Sequence, residues 1–294
     1  MRFFSILKPG IIFGNIVTVC GGFFLGSVHR SHFSPLLLLF TLVSMALIVG
    51  SGCVFNNVID RDIDALMERT CNRVLVKGLI HPSIALLYGT GVGLLGFWLL
   101  YFTTNLWAVG TAAVGWIFYV IVYSLFLKRK SSWGTILGSI SGAVPPVVGY
   151  CAASNQLDLG AAVLFLILFL WQMPHFYAIA INRLKDFKAA NIPVLPAIKS
   201  LRYTKISMLV YIILYTLATL LPVYLGYAGY LYFSGALVLG LIWIFFALQG
   251  FKISSEPSQN LELIQQNKKW AKKVFLFSIL DITLLCLLMG INLI

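Results

Sequence analysis

The chain has 294 residues, of which 60% are hydrophobic and only 10% are charged, and its net charge is +12. Soluble domains carry about 25% charged residues, so a water-soluble fold could not bury this much apolar surface. The composition therefore predicts a membrane protein. The basic balance does not indicate nucleic-acid binding, because the basic residues lie in short loops between apolar segments.

Nine apolar segments follow one another along the chain, and each has roughly the 20 residues that a transmembrane helix needs. Segments this long and this uniformly apolar indicate helices rather than barrel strands. The predicted spans are residues 10–28, 35–57, 82–102, 105–127, 134–152, 160–182, 205–226, 231–251 and 272–292. We expect an all-α, polytopic membrane protein of nine transmembrane helices. Because the loops are too short to fold alone, residues 1–294 should form a single domain.

The basic residues predict the orientation of these spans. All but one of the 21 Lys and Arg residues fall at the N-terminus or in the loops after the second, fourth, sixth and eighth spans, and Arg30 is the exception. Because basic loops stay on the cytoplasmic side, we expect a cytoplasmic N-terminus and a C-terminus outside. The N-terminal residues show neither a cleavage site nor a transit peptide. This favours a retained first span and a bacterial inner (plasma) membrane.

An acidic cluster lies at the cytoplasmic end of the second span, where Asn56, Asp60 and Asp64 are spaced four residues apart. On a helix each step of four rotates by about 40°, so the three oxygen-bearing side chains line one face. Mg²⁺ prefers oxygen ligands and completes its shell with water and substrate phosphates. Arg69 and Arg73, nearby, can bind phosphate oxygens. We expect these acids at a solvated mouth. The alternative explanation is a solvated loop of mixed charge.

A second polar cluster follows the sixth span. At about 100° per residue, His175, Asn182 and Asp186 share one helix face, and Asp186 emerges on the cytoplasmic side. Two clusters from the two halves of the chain could hold metal ions around a diphosphate. His175 lies roughly 16 Å deeper along the helix, and an ionisable group at that depth is a functional candidate. A histidine hydrogen-bonded inside the bundle is the alternative.

The spacing Asn56-xxx-Asp60-xxx-Asp64, followed by an acidic cluster after span six, resembles the UbiA superfamily of intramembrane prenyltransferases. That family has nine transmembrane helices in two motif-bearing halves. Further stretches are similar to the branch that prenylates haem. They are KPGIIFGN (8–15), DRDIDALMERTCNR (60–73), YSLFLKRK (123–130), AVPPVVGY (143–150), WQMPHFYAIAI (171–181) and DFKAANIPVLP (186–196). Many relatives carry a second DxxxD motif, whose first position here is Asn182.

The resemblance implies transfer of a farnesyl group from farnesyl diphosphate to a vinyl group of haem B, which gives diphosphate and haem O for terminal oxidases. It implies Mg²⁺ as cofactor and catalytic roles for Asp60, Asp64 and Asp186. The implied metal ligands are Asn56, Asp60, Asp64 and Asp186. The implied substrate-binding residues are Arg69, Arg73, Tyr123, Lys128, Arg129 and Arg183 for the diphosphate, and His175 for the haem, as an iron ligand. The partners would be both substrates, the lipid bilayer and, transiently, proteins that modify haem further or assemble oxidases.

Three other functions fit the sequence less well. A relative that prenylates an aromatic quinone precursor would not need the segment 171–181 with His175. A secondary transporter would place acids near the bilayer midplane and use broken helices, whereas the acids here gather at one face, apart from Asp281. A haem carrier without catalytic activity would not need the Asn and Asp array.

Overall fold

The computed structural model describes residues 2–30, 32–131, 133–255 and 260–291. Within these ranges the regular elements are all helices. They are α1 (Arg2–Ile6), α2 (Pro9–Arg30), α3 (Pro35–Ile59), α4 (Arg61–Leu66), α5 (Pro82–Thr103), α6 (Leu106–Ile117), a π-helix (Phe118–Leu127), α7 (Trp133–Ser154), α8 (Leu159–Asn182), α9 (Leu184–Ala189), α10 (Leu195–Ile198), α11 (Leu201–Tyr224), α12 (Tyr230–Gln249), a short 3₁₀ turn (Gly250–Lys252) and α13 (Leu261–Met289).

Among the described residues, eight helical segments are long and apolar enough to cross a membrane, and they make the chain a multi-pass membrane protein. They are Pro9–Val28, Pro35–Ile59, Pro82–Thr103, Leu106–Leu127, Gly134–Ser154, Leu159–Asn182, Leu201–Tyr224 and Tyr230–Lys252. The first eight predicted spans agree with these to within a few residues. The ninth predicted span corresponds to the second half of α13, which is not among the eight. The charged residues Lys272, Lys273 and Asp281 interrupt its apolar sequence.

The long helices pack into one bundle. α2 lies along α7, α3 lies along α5, and α8 lies against α7, α11 and α13. α13 also contacts α2, so the last long helix closes the bundle beside the first. At one end of α13, Trp270 Nε1 donates to the Phe246 carbonyl (2.8 Å). At its other end, Gly290 packs against the ring of Phe24. α13 therefore extends along the bundle from the last turn of α12 to the second half of α2.

The contact between α2 and α7 brings two helix backbones close together. A Cβ atom at Gly22 would lie 1.9 Å from the Pro146 carbonyl oxygen, and one at Gly149 would lie 2.1 Å from the Val19 carbonyl oxygen. Small residues allow membrane helices to approach in this way. These two glycines therefore fix the distance between helices that form part of the cavity wall described below.

Candidate functional site

Asn56, Asp60 and Asp64 keep the helical spacing that the sequence predicts. Although α3 ends at Ile59 and α4 begins at Arg61, the Asp60 N–H donates to the Asn56 carbonyl (2.9 Å) and the Asp64 N–H donates to the Asp60 carbonyl (2.8 Å). The expectation of a solvated mouth is wrong, because Asp60 is 0% exposed and Asp64 is 2% exposed. The acids instead lie inside the packed end of the bundle.

Basic side chains neutralise both of these buried acids. Lys128 Nζ forms an ion pair with Asp60 Oδ2, and Arg73 Nη1 lies 2.5 Å from Asp64 Oδ2. Asn56 Nδ2 donates a further hydrogen bond to Asp60 Oδ2 (2.8 Å). Because a buried charge without a partner is strongly destabilising, these contacts explain how two carboxylates remain so close together away from water.

Lys8 completes this basic group, although the sequence analysis used it only to orient the chain. Its Nζ donates to Asn56 Oδ1 (2.6 Å). Its backbone φ is 56°, a left-handed conformation that costs an L-residue about 1–2 kcal/mol. Strain of this kind often marks a functional position. Burial, together with the positive charges of Arg73 and Lys128, lowers the pKa of Lys8 from 10.5 to about 8.

The oxygen ligands at this end fit a hard divalent cation. Asp60 Oδ1 is buried and has no hydrogen-bond partner among the described residues. Among the residues that the structure describes, no three His, Cys, Asp or Glu side chains are placed to hold a metal ion together. A metal ion here would therefore use few protein ligands, from Asn56, Asp60 and Asp64, and take the others from water and substrate phosphate. Mg²⁺ is commonly bound in this way.

A cavity of about 800 Å³ adjoins the acids. Its volume is within the range of about 300–1,000 Å³ that small-molecule sites occupy. The predicted site residues that line it are Asn56, Asp60, Asp64, Arg69, Arg73, Tyr123, Lys128 and His175, and Lys8 lines it as well. Apolar side chains such as Met45, Ile48, Val49 and Leu168 form other parts of the wall. The cavity thus joins the charged end of the bundle to His175.

Three predicted site residues, Arg129, Arg183 and Asp186, are not among those that line the cavity. Arg129 donates two hydrogen bonds to Asp62, both 2.6 Å long. The hydrogen bond to Asp62 raises the pKa of Arg129, and the same bond lowers the pKa of Asp62. Asp186 is 9% exposed in the first turn of α9, which begins directly after Arg183.

Arg69 lies near members of both predicted clusters. Burial lowers the pKa of its guanidinium, and the charges of Arg73 and Arg183 lower it further, while those of Asp64 and Asp186 raise it. The structure therefore brings the second cluster into electrostatic contact with the first through Arg69.

His175 is held by aromatic rings and by α13. Its ring stacks on Trp171, with centroids 4.5 Å apart and an interplanar angle of 25°, and it packs against Phe275 at 4.8 Å. His175 Nδ1 lies 2.7 Å from Ser278 Oγ. Trp171 Nε1 donates to the Ser278 carbonyl (2.9 Å). The ring contact with Phe275 and the two hydrogen bonds to Ser278 thus join α8 to α13 at this end of the cavity.

Sequence reasoning missed Lys8 and Ser278 as site residues. For Lys8 there was a signal, since it is an isolated basic residue immediately before Pro9 at the start of an apolar helix. For Ser278 there was none, because its contact with His175 joins residues 103 positions apart. Lys8 lies at the charged end of the cavity, and Ser278 lies beside His175.

Comparisons with known proteins agree with the resemblance noted above. The UbiA prenyltransferase family matches residues 15–271. The chain is 49% identical to the Protoheme IX farnesyltransferase of Yersinia pseudotuberculosis serotype O:1b (strain IP 31758), over 99% of this chain and 94% of that protein. It is 50% identical to the Protoheme IX farnesyltransferase of Cronobacter sakazakii (strain ATCC BAA-894), over the same shares of the two chains.

Solved structures show the same fold at low sequence identity. A UbiA homolog from Archaeoglobus fulgidus bound to GPP and Mg²⁺ superposes with a TM-score of 0.70 at 16% identity, covering 96% of this chain and 99% of that one. The apo structure of a UbiA homolog from Aeropyrum pernix K1 gives a TM-score of 0.70 at 16% identity, covering 96% and 97%. The chain therefore belongs to the UbiA prenyltransferase family and, within it, to the protoheme IX farnesyltransferases.

Proposed function

We propose that this chain transfers a farnesyl group from farnesyl diphosphate to a vinyl group of haem B. The terminal vinyl carbon bonds to the farnesyl carbon as diphosphate leaves, and one water adds its hydroxyl to the other vinyl carbon and releases a proton, which gives haem O. The observation that carries the proposal is the single cavity that joins buried acids and basic residues to an apolar region with His175. A donor with a charged head and an apolar tail fits this gradient, and an apolar porphyrin with a central iron fits the far end. The names of the bacterial relatives support the same substrates.

The charged end would bind Mg²⁺ and diphosphate together. Asn56, Asp60 and Asp64 would hold the metal, with Asp186 contributing from the second cluster. When bound, Mg²⁺ would neutralise the negative charge that develops on the departing diphosphate. The orphaned Asp60 Oδ1 supports this assignment, because a buried anionic oxygen without a partner is otherwise costly.

The basic residues at the same end would hold the diphosphate oxygens. Lys8, Arg69, Arg73 and Lys128 line the cavity, and charge-assisted hydrogen bonds from such groups are stronger than neutral ones. Tyr123 lines the same region. Arg129 is bonded to Asp62, so we propose that it supports the loop rather than touching the substrate.

Arg183 would contribute its charge from the edge of the second cluster. The apolar wall would keep water away from the allylic carbon from which diphosphate departs. The wall therefore protects the farnesyl group until the haem vinyl group attacks it.

We further propose that α13 is a ninth span and that the N-terminus is cytoplasmic, in a bacterial inner membrane, with residues 1–294 as one domain. Contacts between loops support this orientation. Lys128 reaches Asp60, and Lys185 Nζ lies 3.5 Å from Glu68 Oε2. The loops after the second, fourth and sixth spans therefore share one end of the bundle. Because α13 extends along the bundle to the opposite end, the C-terminus would lie outside.

The activity is tested directly with the purified protein in detergent. Haem B, farnesyl diphosphate and Mg²⁺ are added, and the porphyrin product is identified by mass. A farnesylated porphyrin is expected with all three components and none after chelation of the metal. If haem is unchanged while an aromatic quinone precursor is prenylated, the acceptor assignment is wrong.

The two ends of the cavity are separated by measuring two ligands in two variants. His175→Ala should weaken haem binding and leave the metal-dependent affinity for a non-hydrolysable farnesyl diphosphate analogue within about threefold. Arg73→Ala should lose analogue affinity and keep haem binding. Arg61→Ala is the matched control, because Arg61 lies in the same loop but is exposed and does not line this cavity. Equal losses of both ligands in either variant would contradict the division of the cavity.

A further inference from the structure

The hydroxyl group of Ser278 lies between two polar atoms in the interior of the bundle. Ser278 is 0% exposed. Its Oγ is 2.6 Å from the Phe275 carbonyl oxygen, one turn earlier in α13, and 2.7 Å from His175 Nδ1 on α8. The hydroxyl therefore makes two short hydrogen bonds but has only one proton to donate.

Counting protons assigns the direction of each bond. The Phe275 carbonyl can only accept a hydrogen bond, whereas a neutral histidine nitrogen can be either donor or acceptor. Two oxygens 2.6 Å apart without a proton between them would repel each other, so the Ser278 proton must lie on the bond to Phe275. Ser278 Oγ consequently accepts from His175, and Nδ1 carries the histidine proton. In a neutral imidazole the other nitrogen, Nε2, then has a free lone pair.

The surroundings of the ring favour the neutral form. His175 stacks on Trp171 and packs against the tilted ring of Phe275, and within the described residues it has no acidic partner. A second proton would place an uncompensated charge among aromatic side chains, which is costly. The Nε2 atom makes no hydrogen bond in the described part of the chain, and His175 lines the cavity. The lone pair is thus available to a ligand.

We propose that Ser278 is a positioning residue that keeps His175 protonated on Nδ1 and presents its Nε2 lone pair to the iron of haem B. This inference rests on the proposed function. A histidine that ligates a metal usually donates its other N–H to a nearby acceptor, which fixes its tautomer and orientation. A neutral imidazole is also a common axial ligand of haem. Ser278, with the Trp171 hydrogen bond to its carbonyl, supplies this outer contact.

The tautomer is measured first, in the unaltered protein without haem. Nitrogen NMR of protein labelled with ¹⁵N-histidine distinguishes a protonated from a bare ring nitrogen, and the His175 signals are assigned by their loss in His175→Ala. A protonated Nδ1 and a bare Nε2 are expected. Protonation at Nε2 would overturn the proposal whether or not the protein binds haem.

The role of Ser278 is measured next by haem titration. Ser278→Ala should weaken ferric haem binding by about tenfold, the low end of the loss expected for an outer hydrogen-bond partner, and should change the haem absorption spectrum. Ser139→Ala is the matched control. Ser139 is also 0% exposed and its hydroxyl also bonds to its own helix, at the Thr135 carbonyl (2.9 Å). This control should bind haem as the unaltered protein does.

A double variant separates positioning from packing. If Ser278 acts through His175, then Ser278→Ala should have no further effect on haem affinity in a His175→Ala background. An equal loss in both backgrounds would show a merely structural role, and no loss in either would remove Ser278 from the site; both results overturn the proposal. If the unaltered protein makes farnesylated haem while these spectra do not change, only this inference fails. If it makes no such product, the proposed function fails, and the tautomer measurement still decides the contact.

Discussion

Replacing Asp60 by asparagine tests both the charge balance and the chemistry of the acidic end. Asp60 is fully buried and pairs with Lys128, whose side chain is 15% exposed. It also accepts a hydrogen bond from Asn56. Since asparagine has nearly the same shape as aspartate, packing should change little. The substitution removes the negative charge that faces Lys128 and one anionic ligand of the proposed metal.

The expected magnitudes follow from this burial. Removing one partner of a buried ion pair costs about 3–5 kcal/mol. Because Lys128 keeps some contact with solvent, we expect a loss near 3 kcal/mol in the free energy of unfolding. Turnover should fall by at least about 100-fold, which is the scale of losing one electrostatic stabiliser of a developing charge.

Thermal unfolding in detergent and the rate of haem farnesylation measure the two effects separately. The double variant Asp60→Asn/Lys128→Met removes the unpaired cation, so it should recover most of the stability and none of the turnover. If Asp60→Asn unfolds at the temperature of the unaltered protein, the ion pair does not stabilise this end of the bundle. If it keeps full turnover, metal-assisted departure of diphosphate is wrong.

Three further predictions concern other parts of the chain. Because burial lowers the pKa of Lys8 to about 8, its positive charge is present below that pH and lost above it; kcat/KM for farnesyl diphosphate should fall as the pH rises through about 8, and Lys8→Arg should abolish that fall. In a cysteine-free background, an impermeant outside reagent should label a cysteine at Gln156 but not one at Lys130, and the reverse result would contradict the orientation. Gly22→Ala should cost about 1–3 kcal/mol by overpacking α2 against the backbone of α7, whereas Gly14→Ala, with open space around it, should be tolerated.

The parts of the molecule that the sequence predicts well depend on local patterns. Eight spans are apparent from their hydropathy, because each is a continuous apolar run of sufficient length. The spacing of Asn56, Asp60 and Asp64 places them on one face because the backbone remains helical through the joint between α3 and α4. Neither result requires knowledge of which helices are neighbours.

The parts that the sequence does not predict depend on contacts between distant segments. Asp60 is adjacent to a loop in the sequence, but its burial depends on Lys128, 68 residues later. Helical periodicity placed Asn182 on the stripe of His175, yet its amide donates back to the Ala178 carbonyl (3.0 Å). The family resemblance implied that Arg129 binds phosphate, whereas in the structure its guanidinium is paired with Asp62. In each case the tertiary partner decides what the side chain does.

The pairing of the acids with the bases also bears on the order of binding. Lys128 and Arg73 are bonded to Asp60 and Asp64, so the proposed metal ligands and phosphate ligands neutralise one another. A metal ion binding alone would displace these cations and leave them buried without an anion, which is costly. Diphosphate arriving with the metal gives each displaced cation a phosphate oxygen.

We therefore expect Mg²⁺ to bind at least about tenfold more tightly in the presence of a non-hydrolysable farnesyl diphosphate analogue, and the analogue to gain the same factor from Mg²⁺. Calorimetric titration of each ligand with and without the other measures this coupling, and independent affinities would show that the ion pairs do not have to be exchanged.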